Sequence, residues 1–432
     1  MGPGSLRGCI FNICILSLGT GCLALPQKVG YLSLIFTPVA VLVAGTASLW
    51  TLLLLSSISC KYNQNNYSEL VKQLCGRTLS IVLDFTIIVY AFGILVLYQV
   101  ILYKLIGGVI NEIGGYGYES LDAFLLNSFW KEYKLKFPVN YGLAILILLP
   151  ICLLKNVSKM RFASTFGILS LFFLIGIVVV ECPWFIINYF KNIYKKEDPS
   201  THLNIIDLSV GFDKNMSFFK SIATLFYAYS CHLGAFPVIS SLSNPTKKRI
   251  NKVFIRAIGI DAICYCIIGI SGYLTQPLQT PDLIIERKSI FSNDWVMTIG
   301  RIFFILTLFT KIPANYNALR VSFLSMIGKD PKNFSNLING ILTIPTLAIT
   351  TFICVMYQSV TDYISLVGSF CAVIISFLIP GLMYVRGNDY PRYHYINIIT
   401  IVIVGILSLV GFTSGIFTIM GIIEKNSKKN II

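Results

Sequence analysis

Charge is what this sequence has least of. Only 12% of its 432 residues are Asp, Glu, Lys or Arg, about half the share found in soluble domains. With 55% hydrophobic residues, that scarcity excludes a chain whose solvent is water. Histidine is rarer still, at three residues. The twelve cysteines stand singly and mostly inside apolar stretches, as at Cys14, Cys22, Cys152, Cys354 and Cys371. Their spacing supports neither a metal site nor a disulfide framework, and the Cys264-x-Cys266 pair reads as packing within a span. The chain has no Gly-rich phosphate loop, no nucleophile–base pair in a loop and no carbonyl selectivity filter. ATP-driven transport, hydrolytic enzymology and channel conduction are therefore set aside, and no cofactor is expected. Basic residues outnumber acids by 34 to 19, for a net charge of +15. No basic stripe with interleaved aromatics stands clear of an apolar run, so nucleic acid is not an expected partner. About ten residues precede the first apolar run, which then continues too far for a signal-peptide core.

What the sequence does have is apolar runs of spanning length. They fall at about 10–27, 31–59, 78–111, 139–154, 162–190, 217–241, 252–276, 295–327, 335–358, 363–385 and 395–423. The expectation is an all-α integral membrane protein of about eleven transmembrane helices, with residues 1–432 forming one membrane domain in the lipid bilayer. Alternate loops differ in charge. Those near Arg7, Lys61–Arg77, Lys155–Arg161, Lys247–Arg256, Arg320–Lys332 and Arg386–Arg392 are basic, with only Glu69, Asp330 and Asp389 as acids. The opposite loops carry Glu112, Glu119, Asp122, Glu132, Glu197, Asp198, Asp207, Asp213, Asp282, Glu286, Asp294, Asp362 and Glu424. By the positive-inside rule the N-terminus is cytosolic, and an odd number of spans puts the C-terminus outside or in a lumen. Of the N-x-S/T triplets only Asn215 falls on that outer side, close to a helix start.

Two of the runs are interrupted in mid-membrane. The first contains Gly19-Thr20-Gly21 and ends at Pro26; the sixth contains Ser230-Cys231-His232-Leu233-Gly234-Ala235-Phe236-Pro237. A single Gly-x-Gly reads as close helix packing. Aligned without a gap, however, Gly19 to Pro26 matches Ser230 to Pro237, with Ala24-x-Pro26 over Ala235-x-Pro237. Interrupted spans at corresponding places in two five-helix halves point to an inverted-repeat transporter with its site at the breaks. The freed N–H groups and positive dipole end of a half-helix suit a carboxylate, and unwound carbonyls accept from an ammonium. The expected substrate is thus a zwitterion held by Leu18, Gly19, Thr20, Gly21, Ser230 and Cys231.

The same residues carry a family resemblance. Phe11-Asn12 with Gly19-Thr20-Gly21-Cys22-Leu23-Ala24-Leu25-Pro26 resembles the first span of the amino acid/auxin permease family, which includes system A/N and proton-coupled amino acid transporters. Further matches are Leu149-Pro150-x-x-x-Leu154-Lys155-Asn156 followed by Ser164, Cys231-His232, Gly272-Tyr273-Leu274-Thr275, Arg320 after Pro313, and Gly368-Ser369 with Pro380-Gly381-x-x-Tyr384. The resemblance covers nearly the whole chain. It implies a leucine-transporter-like fold: helices 1–5 (about 10–190) and helices 6–10 (about 217–385) as inverted repeats, plus a C-terminal helix 11 (about 395–423). It places substrate between helices 1, 3, 6 and 8 and implies a monomeric transport unit. The abundance of Ile, Asn, Lys and Tyr resembles proteins of AT-rich protist genomes. One departure matters. Sodium-coupled members carry an Asn in helix 1 and a Thr in helix 8 at the positions that here are Ile15 and Lys311, neither of which coordinates sodium.

Lys311 lies deep in the run before Pro313, where a lysine is costly and functional by default. Its ammonium is expected to occupy the sodium position and link helix 8 to unwound helix 1, with a role in proton carriage. Three acids also lie within spans. Asp84 is near the cytosolic end, within reach of Arg77; Glu181 is near the outer end of helix 5; Asp261 is near mid-depth. Asp261 is the leading carboxylate for proton coupling, with a structural pairing to a Tyr or Arg as the alternative. His232, in the second break, is a candidate to cap freed carbonyls or to titrate, while His202 and His394 lie in loops and read as solvated. Tyr98, Phe226 and Tyr229 are candidates to enclose a substrate side chain, against the plainer reading of packing. The functional expectation is an amino acid transporter working by alternating access. It is expected to be sodium-independent and proton-linked or facilitative, with neutral or aromatic substrates favoured. The membrane is the plasma membrane or that of a vacuole or lysosome. The alternatives are a vacuolar exporter of amino acids or drug-like amines, and an amino acid sensor with little turnover.

Overall fold

The computed structural model describes residues 4–64, 66–113, 136–154, 161–195, 216–277, 280–290, 294–329, 334–391 and 393–429. Every regular element among them is helical. The order is α1 (Leu6–Ser17), α2 (Thr20–Leu32), α3 (Phe36–Tyr62), α4 (Tyr67–Cys75), α5 (Arg77–Ile113) and α6 (Lys136–Leu143). A π turn, Ala144–Leu148, leads to α7 (Leu149–Cys152). Then come α8 (Arg161–Lys195), α9 (Met216–Ala228), α10 (His232–Ser241), α11 (Lys247–Thr275), α12 (Trp295–Met326), α13 (Asn336–Met356) and α14 (Val360–Leu366). Two π turns connect α14 to α15 (Ile379–Gly387), and α16 (Tyr395–Lys429) follows.

Among the described residues nine candidate spans are long and apolar enough to cross a membrane, and α1 with α2 make a tenth, bent by 54°. The run expected as the fourth span appears as the shorter apolar helix Pro138–Cys152. The long spanning helices carry apolar outer faces because lipid replaces water there, so Leu146, Leu337, Leu409 and Ile423 are exposed without penalty. Helix starts use ordinary caps: Ser5 accepts from Gly8 N, Asn66 from Ser68 N and Asp294 from Met297 N. Proline inside α2, α10 and α12 removes one backbone donor each, at Pro26, Pro237 and Pro313.

The core is built by α1, α2, α9 and α10 enclosed by α3, α5, α8, α11 and α12. The last helix, α16, packs on α9 at the periphery and is largely exposed, whereas the span Val360–Gly387 is mostly buried. One end of the bundle is covered by the segment 280–290. Its Leu283, Ile284 and Ile285 are fully buried, and Arg301 holds its carbonyls, donating to Ile285 O at 2.9 Å and Arg287 O at 3.0 Å. Lys104 pairs with Glu286 at 3.4 Å, and Arg287 pairs with Glu181 while lying over the Phe185 ring. Glu181, placed by the sequence near the outer end of helix 5, is therefore half of an ion pair to this segment. Asp84 does not pair with Arg77. The carboxyl turns inward to the hydroxyls of Ser68 (2.6 Å) and Ser325 (3.1 Å), while Arg77 is exposed. His394 is half-buried, its ring stacked on Tyr390 and tilted against Tyr395. His202 and Asn215 lie outside the described residues.

Candidate substrate site at two helix breaks

Helix α1 ends at Ser17 and α2 begins at Thr20; α9 ends at Ala228 and α10 begins at His232. The expected interruptions are therefore real breaks, and each leaves the last carbonyls of one half-helix and the first N–H groups of the next without helical partners. The two breaks meet. A Cβ on Gly21 would lie 2.9 Å from Ala228 Cα, so only glycine permits this approach. Thr20 Oγ1 and the Tyr227 hydroxyl are hydrogen-bonded at 3.0 Å across the same junction.

The orphan carbonyls find side-chain donors. Lys311 Nζ donates to Leu18 O at 3.4 Å, and a Cβ on Gly19 would sit 3.4 Å from the same ammonium. Ser48 Oγ donates to Tyr229 O at 3.1 Å. The Tyr265 hydroxyl lies 2.8 Å from Ser17 O and 2.7 Å from Ala228 O. Lys311 thus reaches inward to the first break. Arg320, two and a half turns along the same helix, is engaged elsewhere with Asn339, Asn317 and Leu154 O.

Asp261 is fully buried one turn before Tyr265. Its Oδ2 accepts from the Ser17 hydroxyl. Its Oδ1 has no hydrogen-bond partner among the described residues, with the Cys14 thiol close by. A carboxylate half-satisfied in mid-membrane is costly as an anion and inexpensive with a proton. Of the two expected pairings for Asp261, Tyr or Arg, neither is made; its partner is the serine that closes α1.

The remaining candidates divide. Ser230 Oγ is 3.2 Å from Ser376 Oγ, and the Cys231 N–H turns back to Tyr229 O at 2.9 Å. His232 uses Nε2 for Thr51 Oγ1 at 2.9 Å and leaves Nδ1 without a partner among the described residues, so it braces α3 and caps no break carbonyl there. The Tyr229 ring packs edge-on to Tyr265 at 4.9 Å and its hydroxyl has no partner among the described residues. Phe226 packs against Phe377, also at 4.9 Å, which is a core contact. Tyr98 is buried near Tyr227 and Tyr90. Ser17, Ser48, Thr51 and Tyr265 are polar neighbours that sequence reasoning missed. Tyr265 alone left a signal, standing four residues after Asp261 and hence on the same helix face. An open groove of about 770 Å³ lies well away from the breaks, on the wall formed by Phe173, Trp184 and Trp295, so concavity does not locate this site.

Comparison with known proteins agrees with this architecture. The chain is 25% identical to "Amino acid transporter AVT6E" of Arabidopsis thaliana over 96% of its own length and 83% of the relative's. It is 23% identical to "Sodium-coupled neutral amino acid transporter 7" of Xenopus laevis, over 88% of this chain and 80% of the relative. It is likewise 23% identical to "Vacuolar amino acid transporter 5" of Saccharomyces cerevisiae, over 88% of each. Among solved structures, MhsT in complex with L-phenylalanine superposes with a TM-score of 0.54 over 94% of this chain and 98% of that one; at 14% identity the likeness is one of fold. The family model described as "Transmembrane amino acid transporter protein" matches residues 2–420. This multi-pass membrane chain therefore belongs to the transmembrane amino acid transporter protein family.

Proposed function

We propose that the chain moves a neutral or aromatic amino acid by alternating access without sodium, with the Lys311 ammonium standing where a coupling cation would bind. The observation that carries this reading is the contact between Lys311 Nζ and Leu18 O. A cation serving the first break needs the free carbonyls at the end of α1, and Leu18 O already has a resident positive charge as partner. A second cation at that spot meets Coulomb repulsion from the ammonium, which is strong where water is excluded. Relatives named as sodium-coupled share under a quarter of their residues with this chain, and Ile15 and Lys311 stand where the coordinating side chains of sodium-coupled members are expected.

Asp261 is the proposed proton carrier. It is buried beside the first break, tied to Ser17 and short of donors, so its protonation state is coupled to the end of α1. Leu18, Gly19, Thr20, Gly21, Ser230 and Cys231 are the proposed backbone cradle. Tyr98 and Tyr229 stand against the substrate side chain, and Lys311 disfavours cationic substrates. The chain acts as a monomeric unit with its N-terminus in the cytosol. A vacuolar location is supported by the yeast relative, named as a vacuolar transporter.

The test is uptake of a panel of radiolabelled amino acids into proteoliposomes at fixed voltage, with and without imposed sodium or proton gradients. Saturable, sodium-indifferent uptake that an inward proton gradient stimulates is the expected result. Sodium-driven uptake would overturn the role given to Lys311. Substrate binding without uptake would replace transport with sensing.

A further inference from the structure

The register that sets Gly19 over Ser230 also sets Ser17 over Ala228 and Leu18 over Tyr229. Ser17 and Ala228 are the last residues of α1 and α9, the first half-helices of the two broken spans. Their carbonyls are therefore symmetry-related orphans, each at the negative end of a helix dipole. One side chain serves both: the Tyr265 hydroxyl, 2.8 Å from Ser17 O and 2.7 Å from Ala228 O. Tyr265 belongs to neither broken span and projects from α11, where Asp261, one turn earlier, holds the Ser17 side chain. Helix α11 thus grips Ser17 by hydroxyl and by carbonyl, and grips Ala228 through the same tyrosine.

A phenol has one proton to donate. Two carbonyls within hydrogen-bond distance of one hydroxyl share it, and the arrangement holds only while both half-helix ends converge on the same point. The ring contributes separately, through its edge-on packing with Tyr229. Removing the oxygen alone therefore spares the packing and dissolves the link.

We propose that Tyr265 is a positioning residue of the substrate site: its hydroxyl ties the C-terminal carbonyls of α1 and α9 together and so fixes the spacing of the backbone groups at both breaks. This rests on the reading that the two breaks hold the amino acid. The tie is internal to the protein and needs no ion to bring the two negative helix ends together.

The experiment is uptake kinetics of Tyr265→Phe in proteoliposomes, with the reconstituted amount set by monodisperse protein, and ligand-induced thermal shift in detergent as a second readout of binding. The expected result is a KM, and a half-saturation in the thermal shift, raised at least tenfold with the yield of folded protein preserved. A KM within twofold of wild type overturns the proposal, including when Vmax falls, because a merely structural tyrosine lowers the active fraction without changing affinity. Should the phenylalanine variant not fold, 4-aminophenylalanine at position 265 decides: it places two N–H donors where the hydroxyl was. Native-like folding and KM then support the tie, and a KM raised tenfold despite the donors overturns it. Failure of the underlying reading looks different: wild-type protein would neither bind nor transport any amino acid of the panel, and the role given to Tyr265 would fall with it.

Discussion

Lysine carries three donors and no acceptor, so in the middle of a span its ammonium must find oxygen. Lys311 finds the Leu18 carbonyl, and shortening it leaves that carbonyl bare and the first break without its positive charge. Lys311→Ala is expected to lower uptake at least tenfold, equivalent to about 1.4 kcal/mol, and to alter its pH profile; uptake and profile both unchanged would remove the residue from the mechanism. Gly21 tests the junction sterically. Its added Cβ would meet Ala228 Cα at 2.9 Å, a backbone atom that cannot swing aside. Gly21→Ala should force α2 and α9 apart, costing about 1–3 kcal/mol of overpacking and most of the transport. A Cβ on Gly340, in α13, would meet no atom of another described element within 4 Å, so Gly340→Ala serves as the matched control. A helix-interior alanine there should be neutral or stabilising by up to about 1 kcal/mol, read as the midpoint of thermal unfolding in detergent with uptake unchanged.

At the level of elements, the segment 280–290 is held by partners from three surrounding helices: Lys104 of α5, Glu181 of α8 and Arg301 of α12. Arg301 serves two backbone carbonyls inside the protein. Leaving a buried acceptor unsatisfied costs about 1–3 kcal/mol, so Arg301→Ala should release the segment. The check is a Leu283→Cys reporter, shielded in the native protein where Leu283 is fully buried, which becomes labelled by an impermeant maleimide in the Arg301→Ala background. The segment is also expected to respond to pH. Burial raises the Glu286 carboxyl above its ordinary value of 4.5, the Lys104 ammonium opposing that rise only in part. The folded protein therefore binds this proton more tightly than the unfolded chain does. The contribution to stability is fully present below 4.5 and is lost as pH climbs through the raised value. In Glu286→Gln that component should vanish, flattening the acid side of a plot of thermal midpoint against pH; an unaltered slope would show that Glu286 does not titrate in this window.

For the whole molecule, what could be read in advance was whatever depends on local composition. Apolar length located the spans, and a Pro at the same offset in two interrupted runs located both breaks, although the helix gives way upstream of each proline, at Leu18-Gly19 and at Tyr229–Cys231, while Pro26 and Pro237 sit inside the half-helices that follow. Lys311 was legible for a related reason: one charge in an apolar run has no local partner, so the partner had to come from another span. The partners themselves were not legible. Ser17, Ser48, Thr51 and Tyr265 are side chains that any span carries, and only the rotation of each helix about its axis decides whether a hydroxyl faces a break or satisfies its own preceding turn, as Ser17 also does toward Ile13 O. Asp84 was assigned a charged neighbour by proximity along the chain and instead found two serines, because its helix face turns into the bundle. Orientation in the bilayer follows a different physics, the bias of Lys and Arg among short loops. Lys247, Lys248 and Arg249, at the start of α11, lie at the end of the molecule opposite the clamped segment 280–290, since one helix joins the two. If that basic end is cytosolic, the segment faces outward or into a lumen. With the first span entered from the cytosol and eleven crossings, the two termini should fall on opposite sides. Epitope tags at each end, probed with protease in sealed right-side-out vesicles, are expected to show the C-terminal tag cut and the N-terminal tag protected. Protection of both would mean that Pro138–Cys152 fails to cross, leaving ten spans and both termini in the cytosol.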